Sequence, residues 1–358
     1  MTQLPPTIPP KFLPWSDVAD VDIAYDRCLR EEKRLMDHNQ GPETRWALVR
    51  VRILGYLIDY APTNTGARGV VDAINSCATD AQLHDLGGLY RQAWIRAFQA
   101  SKSQTPTPSN DPSRPSFDAT HALKYDGVDP APRNHSASKK SALVRDDFRC
   151  LVTGEYDVDS LSPNDPLLAT LGAGDITRTK CCHVFNESTS WDVLPVTDPN
   201  KRSWAASMWA TMSRFGYDSL PEDLNGDKVH RLENVLTLSH VIHGFFDSLE
   251  IWFVETGDNE YRLESVPGPA EIFARNYPTV KFTSAKPDLD LALPSPDYLA
   301  IHAACAKVAH LSGASEWFKE FEDDLDEHTH KTLANDGASA SLLYNALQAH
   351  AEWSNVVE

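Results

Sequence analysis

The sequence predicts an α+β protein with helical regions at both ends and a compact mixed region between them. Apolar residues recur at helical spacing in residues 1–100 and again in residues 266–358. Between residues 139 and 265, short apolar runs alternate with turn-forming residues, which is typical of short strands and helices. With 41% hydrophobic and 23% charged residues, this chain of 358 residues can bury a substantial core.

The N-terminal region, residues 1–100, is predicted to hold three amphipathic helices that pack as a small bundle. Ser16 is a candidate N-cap for the first helix, from Asp17 to Met36. The other two are indicated by apolar stripes: Trp46, Val49, Ile53, Leu57 and Tyr60 in one, and Leu83, Leu86, Leu89, Tyr90, Trp94, Ala97 and Phe98 in the other. These stripes are interpreted as bundle core, and the alternative is a groove that binds a protein partner.

Ser, Thr and Pro dominate the next segment, so residues 101–138 are predicted to be a linker. Within 139–265, a strand that enters a turn at Gly154 is predicted at 148–154, and a second strand at 181–185. A helix is predicted at 200–215, and a strand, a helix and a strand across 232–254. The alternation in residues 260–266 predicts a strand that pairs with the last of these. In the C-terminal helical region, 266–358, helices are predicted over 296–311, 312–327 and 339–353.

Charge and hydropathy exclude some functions. A formal net charge of −18 argues against a sequence-independent coat for DNA, which needs a large positive field. No apolar run approaches the roughly 20 residues that span a bilayer, and the N-terminus is too rich in Pro for a signal peptide. These features predict an intracellular protein, nuclear or cytoplasmic, with no membrane partner. The six cysteines are scattered, which predicts free thiols.

Two segments of the mixed region carry chemically useful side chains. The first is Cys181-Cys182-His183-Val184-Phe185, and the second runs from Asn234 to Asp247. In the second segment, Ser239 is positioned to cap a helix that contains His243 and Asp247 four residues apart. Residues at this spacing lie on one helix face, so an imidazole and a carboxylate can bind the same cation.

The order of these residues resembles the His-Asn-His (HNH) module common in fungal proteins. That module is recognised by R-D-x-x-R-C-x-V-T-G, then H-[IV]-F, then N-[VI]-L-x-L-x-x-x-x-H-x-x-F-D. The chain supplies the matching residues from Arg145 to Gly154, from His183 to Phe185 and from Asn234 to Asp247. The resemblance covers residues 139–265 and implies a ββα-metal core and a hydrolase that cleaves phosphodiester bonds in nucleic acid. DNA is the expected substrate, and RNA stays open as the alternative.

The resemblance also implies a role for each residue. His183 corresponds to the general base that activates a water, and Asn234 to the residue that holds the histidine in orientation. His243 and Asp247 correspond to the helix ligands of one divalent metal ion, which could be Mg²⁺, Mn²⁺, Ni²⁺ or Zn²⁺. Cys182 stands where many such enzymes have a third metal ligand, Asp or His.

Several alternatives stay open at the level of sequence. Cys182 is either a soft metal ligand that prefers Zn²⁺ or a buried core residue, because strand alternation turns it away from His183. Cys150 and Cys181, with Cys182 and His183, could instead form a structural zinc site. His230 and His240 are interpreted as incidental. A catalytically inactive HNH-derived scaffold, binding proteins through its helices, is the alternative to the enzyme.

Overall fold

A computed structural model describes residues 2–8, 18–37, 41–99, 128–162, 164–186 and 208–316. The chain divides into two compact units. The first consists of Met1–Ala97, Val193–Leu220 and Ala304–Glu358, and the second of Phe98–Asp192 and Pro221–Ala303. Both helices and small sheets are present, which confirms the α+β class.

The first unit is helical. It contains α1 (Val18–Met36), α2 (Pro42–Tyr60), α3 (Asn64–Ser76) and α4 (Asp80–Tyr90), and a π-helical turn, Arg91–Ile95, continues α4. Helix α2 packs against the other three. The three predicted helices are confirmed, whereas α3 was not predicted. Thr63 caps α3 by accepting a hydrogen bond from the Gly66 backbone N–H.

The second unit is mixed. Its main helices are α5 (His135–Arg145), α6 (His240–Asp247), α7 (Pro269–Asn276) and α8 (Pro296–Ser312), the last of which belongs to this unit as far as Ala303. The strands form three sheets. Parallel β1 (Tyr156–Asp157) and β2 (Ile176–Thr177) make the first, antiparallel β3 (Thr179–His183) and β4 (Val235–Ser239) the second, and β5 (Ile251–Gly257), β6 (Glu260–Ser265) and β7 (Thr279–Lys281) the third.

The strand pair β3–β4 is covered by a helix on each face. Cys181 packs in an apolar cluster with Ala142 and Val144 of α5, while the sulfur of the next residue, Cys182, approaches α6. Because adjacent side chains of a strand point to opposite faces, α5 and α6 lie on opposite sides of β3. These two faces carry the candidate functional groups.

The buried guanidinium of Arg145 holds the start of β4 in place. Its Nε and Nη2 atoms donate to the two carboxylate oxygens of Asp146 at 2.7 and 2.9 Å. The remaining donors reach the carbonyls of Leu232, Val235 and Ala292 at 2.9 to 3.0 Å. Both side chains of this ion pair are inaccessible to solvent. The Arg-Asp pair of the sequence pattern therefore has a structural role.

At 148–154 the predicted turn at Gly154 is confirmed, but the strand predicted to enter it is wrong. The segment is a tight turn, in which the Gly154 N–H donates to the Cys150 carbonyl and the Cys150 N–H to the Glu155 carbonyl. Gly154 has a φ of +73°, a conformation that favours glycine. The apolar residues of this turn do not extend a sheet, although the Leu151 N–H bonds to Thr237 of β4.

The predicted strands at 181–185 and 260–266, and the strand-helix-strand series at 232–254, correspond to β3, β6 and β4–α6–β5. Strand β6 pairs with β5 as predicted. The helix predicted at 200–215 is observed over 208–214, and its earlier residues lie outside the described chain. Also outside are most of the predicted linker (101–127), nearly all of 312–327, and 339–353. Within the described residues, no helix combines the length and apolarity needed to cross a bilayer.

Candidate metal centre

Helix α6 presents two potential ligands on one face. It begins directly after β4, and Ser239 caps it by accepting a hydrogen bond from the Ile242 N–H. One turn separates His243 from Asp247, and His243 Nε2 lies 3.4 Å from Asp247 Oδ2. Both side chains are partly exposed, at 25% and 22%. The helix therefore brings an imidazole and a carboxylate together, as its spacing predicts.

Cys182 faces this pair. Its fully buried thiol donates to Asp247 Oδ1, with 3.9 Å between sulfur and oxygen. The ligating atoms of Cys182, His243 and Asp247 all lie within 4.8 Å of one another. Cys182 is thus buried, as the core interpretation expects, and also directed at the two helix residues.

Burial keeps two of these groups uncharged. Desolvation, followed by the charge of Asp247, raises the pKa of the Cys182 thiol above its ordinary range. Desolvation, followed by the positive charges of His240 and Lys180, lowers the pKa of His243 to about 4. At neutral pH His243 is therefore an imidazole with a free lone pair, the form that binds metals. Cys182 would have to lose its proton to serve as a ligand.

His183, the predicted general base, lies at the end of β3 and is 8% exposed. Its Nε2 atom is 3.2 Å from Nδ1 of His230. Burial, and then the charges of His230 and His135, lower the pKa of His183 to about 3. The ring is therefore neutral at physiological pH.

His183 belongs to a different group from the three ligands. Its ligating atom lies within 4.8 Å of those of His135 and Cys181, on the face of β3 that α5 covers. Alternation along the strand explains this separation, because Cys181 and His183 are two residues apart and Cys182 lies between them. The predicted site residues therefore occupy both faces of one strand.

Two histidines near His183 were not identified as site residues from sequence. His230 was interpreted as incidental, and the structure instead places it against His183. His135 begins α5, 46 positions before Cys181 in the chain, so its approach depends on how α5 packs. Cys181 belongs to the structural zinc alternative, but the sequence does not group it with His135. The sequence could have pointed to it through the i, i+2 spacing with His183.

Asn234 fixes the backbone that follows His183. Its fully buried side chain accepts from the Phe185 N–H at 2.8 Å. It also donates to the carbonyls of Phe185 and Val229 at 2.9 and 2.8 Å, and its own carbonyl accepts from the Val184 N–H. Asn234 touches the backbone beside His183 and acts as a positioning residue.

Among the described residues, Cys150, Cys181, Cys182 and His183 do not come together as a structural zinc site. Cys181 and Cys182 fall into separate groups on opposite faces. The Cys150 sulfur accepts a hydrogen bond from the Ser239 N–H at 3.2 Å, which gives it a local structural partner. A set of Cys150, Cys181, Cys182 and His183 would need both faces of β3 at once.

No protein-family model, curated protein or solved structure matches this chain.

Proposed function

We propose that this protein is a metal-dependent hydrolase of phosphodiester bonds in nucleic acid, built on a ββα-metal (HNH) core formed by β3, β4 and α6. The observation that carries this proposal is the convergence of Cys182, His243 and Asp247. His183 is the last residue of β3, and His243 contributes to lowering its pKa, so the two rings are close enough to interact around the end of the strand. This order of strand, strand and helix, with those side chains, supports the resemblance found in the sequence.

The three converging side chains fit a divalent cation. They offer one sulfur, one nitrogen and one carboxylate oxygen, and the carboxylate and imidazole remain partly exposed. This mixed set suits Zn²⁺, Ni²⁺ or Mn²⁺ better than Mg²⁺, which prefers oxygen ligands. When bound, such an ion polarises a scissile phosphate and stabilises the leaving oxygen.

His183 would act as the proton acceptor. Burial keeps its imidazole neutral at pH 7, so one ring nitrogen carries a lone pair. To take a proton from an attacking water the ring needs a pKa nearer 7, which exposure to solvent and the negative charge of a bound phosphate would supply. The hydrogen bonds of Asn234 to Phe185 keep the end of β3 fixed, so the ring is held by the backbone that follows it. General base groups of this kind contribute about 10²–10⁴-fold to rate.

The substrate would be recognised locally, since the chain as a whole is acidic. Lys180 is an exposed residue of β3 whose charge acts on His243, so it lies where it can attract a phosphate toward the ligand group. DNA is the first substrate to test. Electrostatic attraction of this local kind predicts binding that weakens as salt rises.

A specific observation favours a second candidate, an inactive HNH-derived scaffold that binds other proteins through its helical N-terminal region. His183 is only 8% exposed and lies against His230, and Cys182 is fully buried. Both groups would have to become accessible for catalysis. The scaffold retains the same fold and cleaves no substrate.

The deciding experiment is a cleavage assay on plasmid DNA, single-stranded DNA and RNA with Mg²⁺, Mn²⁺, Ni²⁺ and Zn²⁺ in turn. We expect cleavage with at least one ion, and its loss in His243→Ala. The matched control is His240→Ala, which removes an exposed histidine from the same helix and should cleave at the wild-type rate. Absence of cleavage under every condition, with a folded protein, would favour the scaffold.

A further inference from the structure

The face of β3 that α5 covers carries a second set of potential ligands. The ligating atoms of His135, Cys181 and His183 lie within 4.8 Å of one another. His230 lies next to this set, with its Nδ1 atom 3.2 Å from Nε2 of His183, and is the candidate for a fourth ligand. Three separate elements supply these residues: the first position of α5, strand β3, and the short helical turn Gly226–His230.

The spacing of the His183 and His230 nitrogens suits a tetrahedral ion. Two nitrogens that each bind Zn²⁺ at about 2.0–2.1 Å are about 3.3 Å apart in a tetrahedral site. The observed separation between His183 and His230 is 3.2 Å. His135 is exposed, so its ring can rotate to close the remaining distance without disturbing the core.

The chemistry of this set differs from that of the α6 face. It consists of one sulfur and three imidazole nitrogens with no carboxylate. Nitrogen and thiolate ligands favour Zn²⁺ and exclude Mg²⁺, which needs oxygen ligands. Four protein ligands would also fill the coordination sphere of Zn²⁺, as in sites that hold the ion without catalysis.

We propose that His135, Cys181, His183 and His230 form a second, zinc-selective site on the face of β3 opposite to Cys182. Occupation of this site engages the nitrogen lone pair of His183. If the proposed function holds, Zn²⁺ at this site therefore inhibits cleavage by removing the proton acceptor.

The test is the amount of Zn²⁺ retained by metal-stripped full-length protein after equilibration and desalting. We expect one equivalent to depend on Cys181 and His135, so that Cys181→Ser and His135→Ala each retain one equivalent less than the wild type. A wild-type amount in both variants would overturn the proposal. Cys181→Ser changes a residue within β3 and could disturb the fold. His135→Ala changes an exposed side chain, so it tests the site without that risk.

Substitution with Co²⁺ provides a second measurement, since bound thiolate gives a charge-transfer absorption. We expect a component of this absorption to be lost in Cys181→Ser and to persist in Cys182→Ser. The control is Cys77→Ser, a partly buried thiol of the first unit, which should keep the full spectrum. An absorption that depends only on Cys182 would contradict a second site.

The activity measurement separates this proposal from the proposed function. With Mn²⁺ in excess, Zn²⁺ should stop DNA cleavage over the concentration range in which the Cys181-dependent equivalent binds. Continued cleavage at full occupancy of that site would overturn the inhibitory role. If the protein cleaves nothing, the proposed function fails, and the Zn²⁺ content of Cys181→Ser and His135→Ala still decides whether the second site exists.

Discussion

The two faces of strand β3 differ in the groups that they offer to a cation. On the α6 face, Cys182 meets an imidazole and a carboxylate that are partly open to solvent. On the α5 face, Cys181 meets histidines and no carboxylate. The difference shows how two adjacent cysteines can serve separate sites, because the alternation of a strand divides them. A carboxylate on one face only should also give the two faces different metal preferences.

Removal of the His183 imidazole should have the largest effect, because it removes the proposed proton acceptor and leaves the ligands on the α6 face in place. We expect His183→Ala to lower the cleavage rate by about 10²–10⁴-fold, because the proposed function assigns the proton acceptor to this ring. Binding of one Mn²⁺ at the α6 face should persist, which isothermal titration would measure. A rate within about threefold of wild type would exclude His183 as the general base.

Removal of the Asn234 side chain tests whether its hydrogen bonds stabilise the backbone that follows β3. Asn234→Ala leaves the Phe185 N–H and the carbonyls of Phe185 and Val229 without this partner, so we expect a loss of about 3 kcal/mol in unfolding free energy. Urea denaturation measures the loss. The matched control is Asn225→Ala, an exposed asparagine with no capping bond, whose substitution should change stability by less than about 0.5 kcal/mol.

A carboxylate in place of Cys182 should allow the α6 face to bind Mg²⁺, and so increase the difference in metal preference between the two faces. Cys182→Asp places a second carboxylate beside Asp247, so the metal-free protein should melt at a lower temperature than wild type. Mg²⁺ should then restore stability by about 2.7 kcal/mol at a concentration 100 times its dissociation constant. Thermal melting with and without Mg²⁺ checks this. If Mg²⁺ has no effect on a destabilised variant, Cys182 is a core residue alone.

His302 shows how far burial alone lowers the pKa of a histidine, because it belongs to no group of potential metal ligands among the described residues. It is buried like His183, but its ring stacks on Phe246 with 3.7 Å between ring centres, and burial lowers its pKa to about 3. Two histidines thus have similar shifts in very different surroundings. A depressed pKa therefore reports burial, and the neighbouring ligands of His183 are what distinguish it.

The pH dependence of stability follows from the shift at His302. In the unfolded chain this histidine binds a proton below pH about 6.5, whereas the folded form resists protonation down to about pH 3. Stability should therefore fall as the pH drops from 6.5 toward 3, by up to about 1.4 kcal/mol per pH unit from this group. His302→Phe should reduce that slope. An unchanged slope, with exposed His240→Phe as control, would contradict the assignment.

Local periodicity was enough to predict the pair His243 and Asp247, since both lie on one helix that Ser239 caps. The β3 strand and its pairing partner could also be predicted from short apolar runs. The approach of His135 and His230 to His183 could not, because it depends on the packing of α5 and of a distant turn. The strand predicted at 148–154 failed because backbone bonds around Gly154 close the segment into a turn.

The central claim, that the Cys182, His243 and Asp247 group holds the ion required for cleavage, is tested most directly with Mn²⁺ and metal-stripped protein. Binding by isothermal titration and the rate of plasmid cleavage would be measured over the same Mn²⁺ concentrations, in wild type and in Asp247→Ala. We expect cleavage to rise with occupancy of one site in wild type, and both signals to be lost in the variant. Cleavage that persists in chelator, or Asp247→Ala that cleaves at the wild-type rate, would contradict the account.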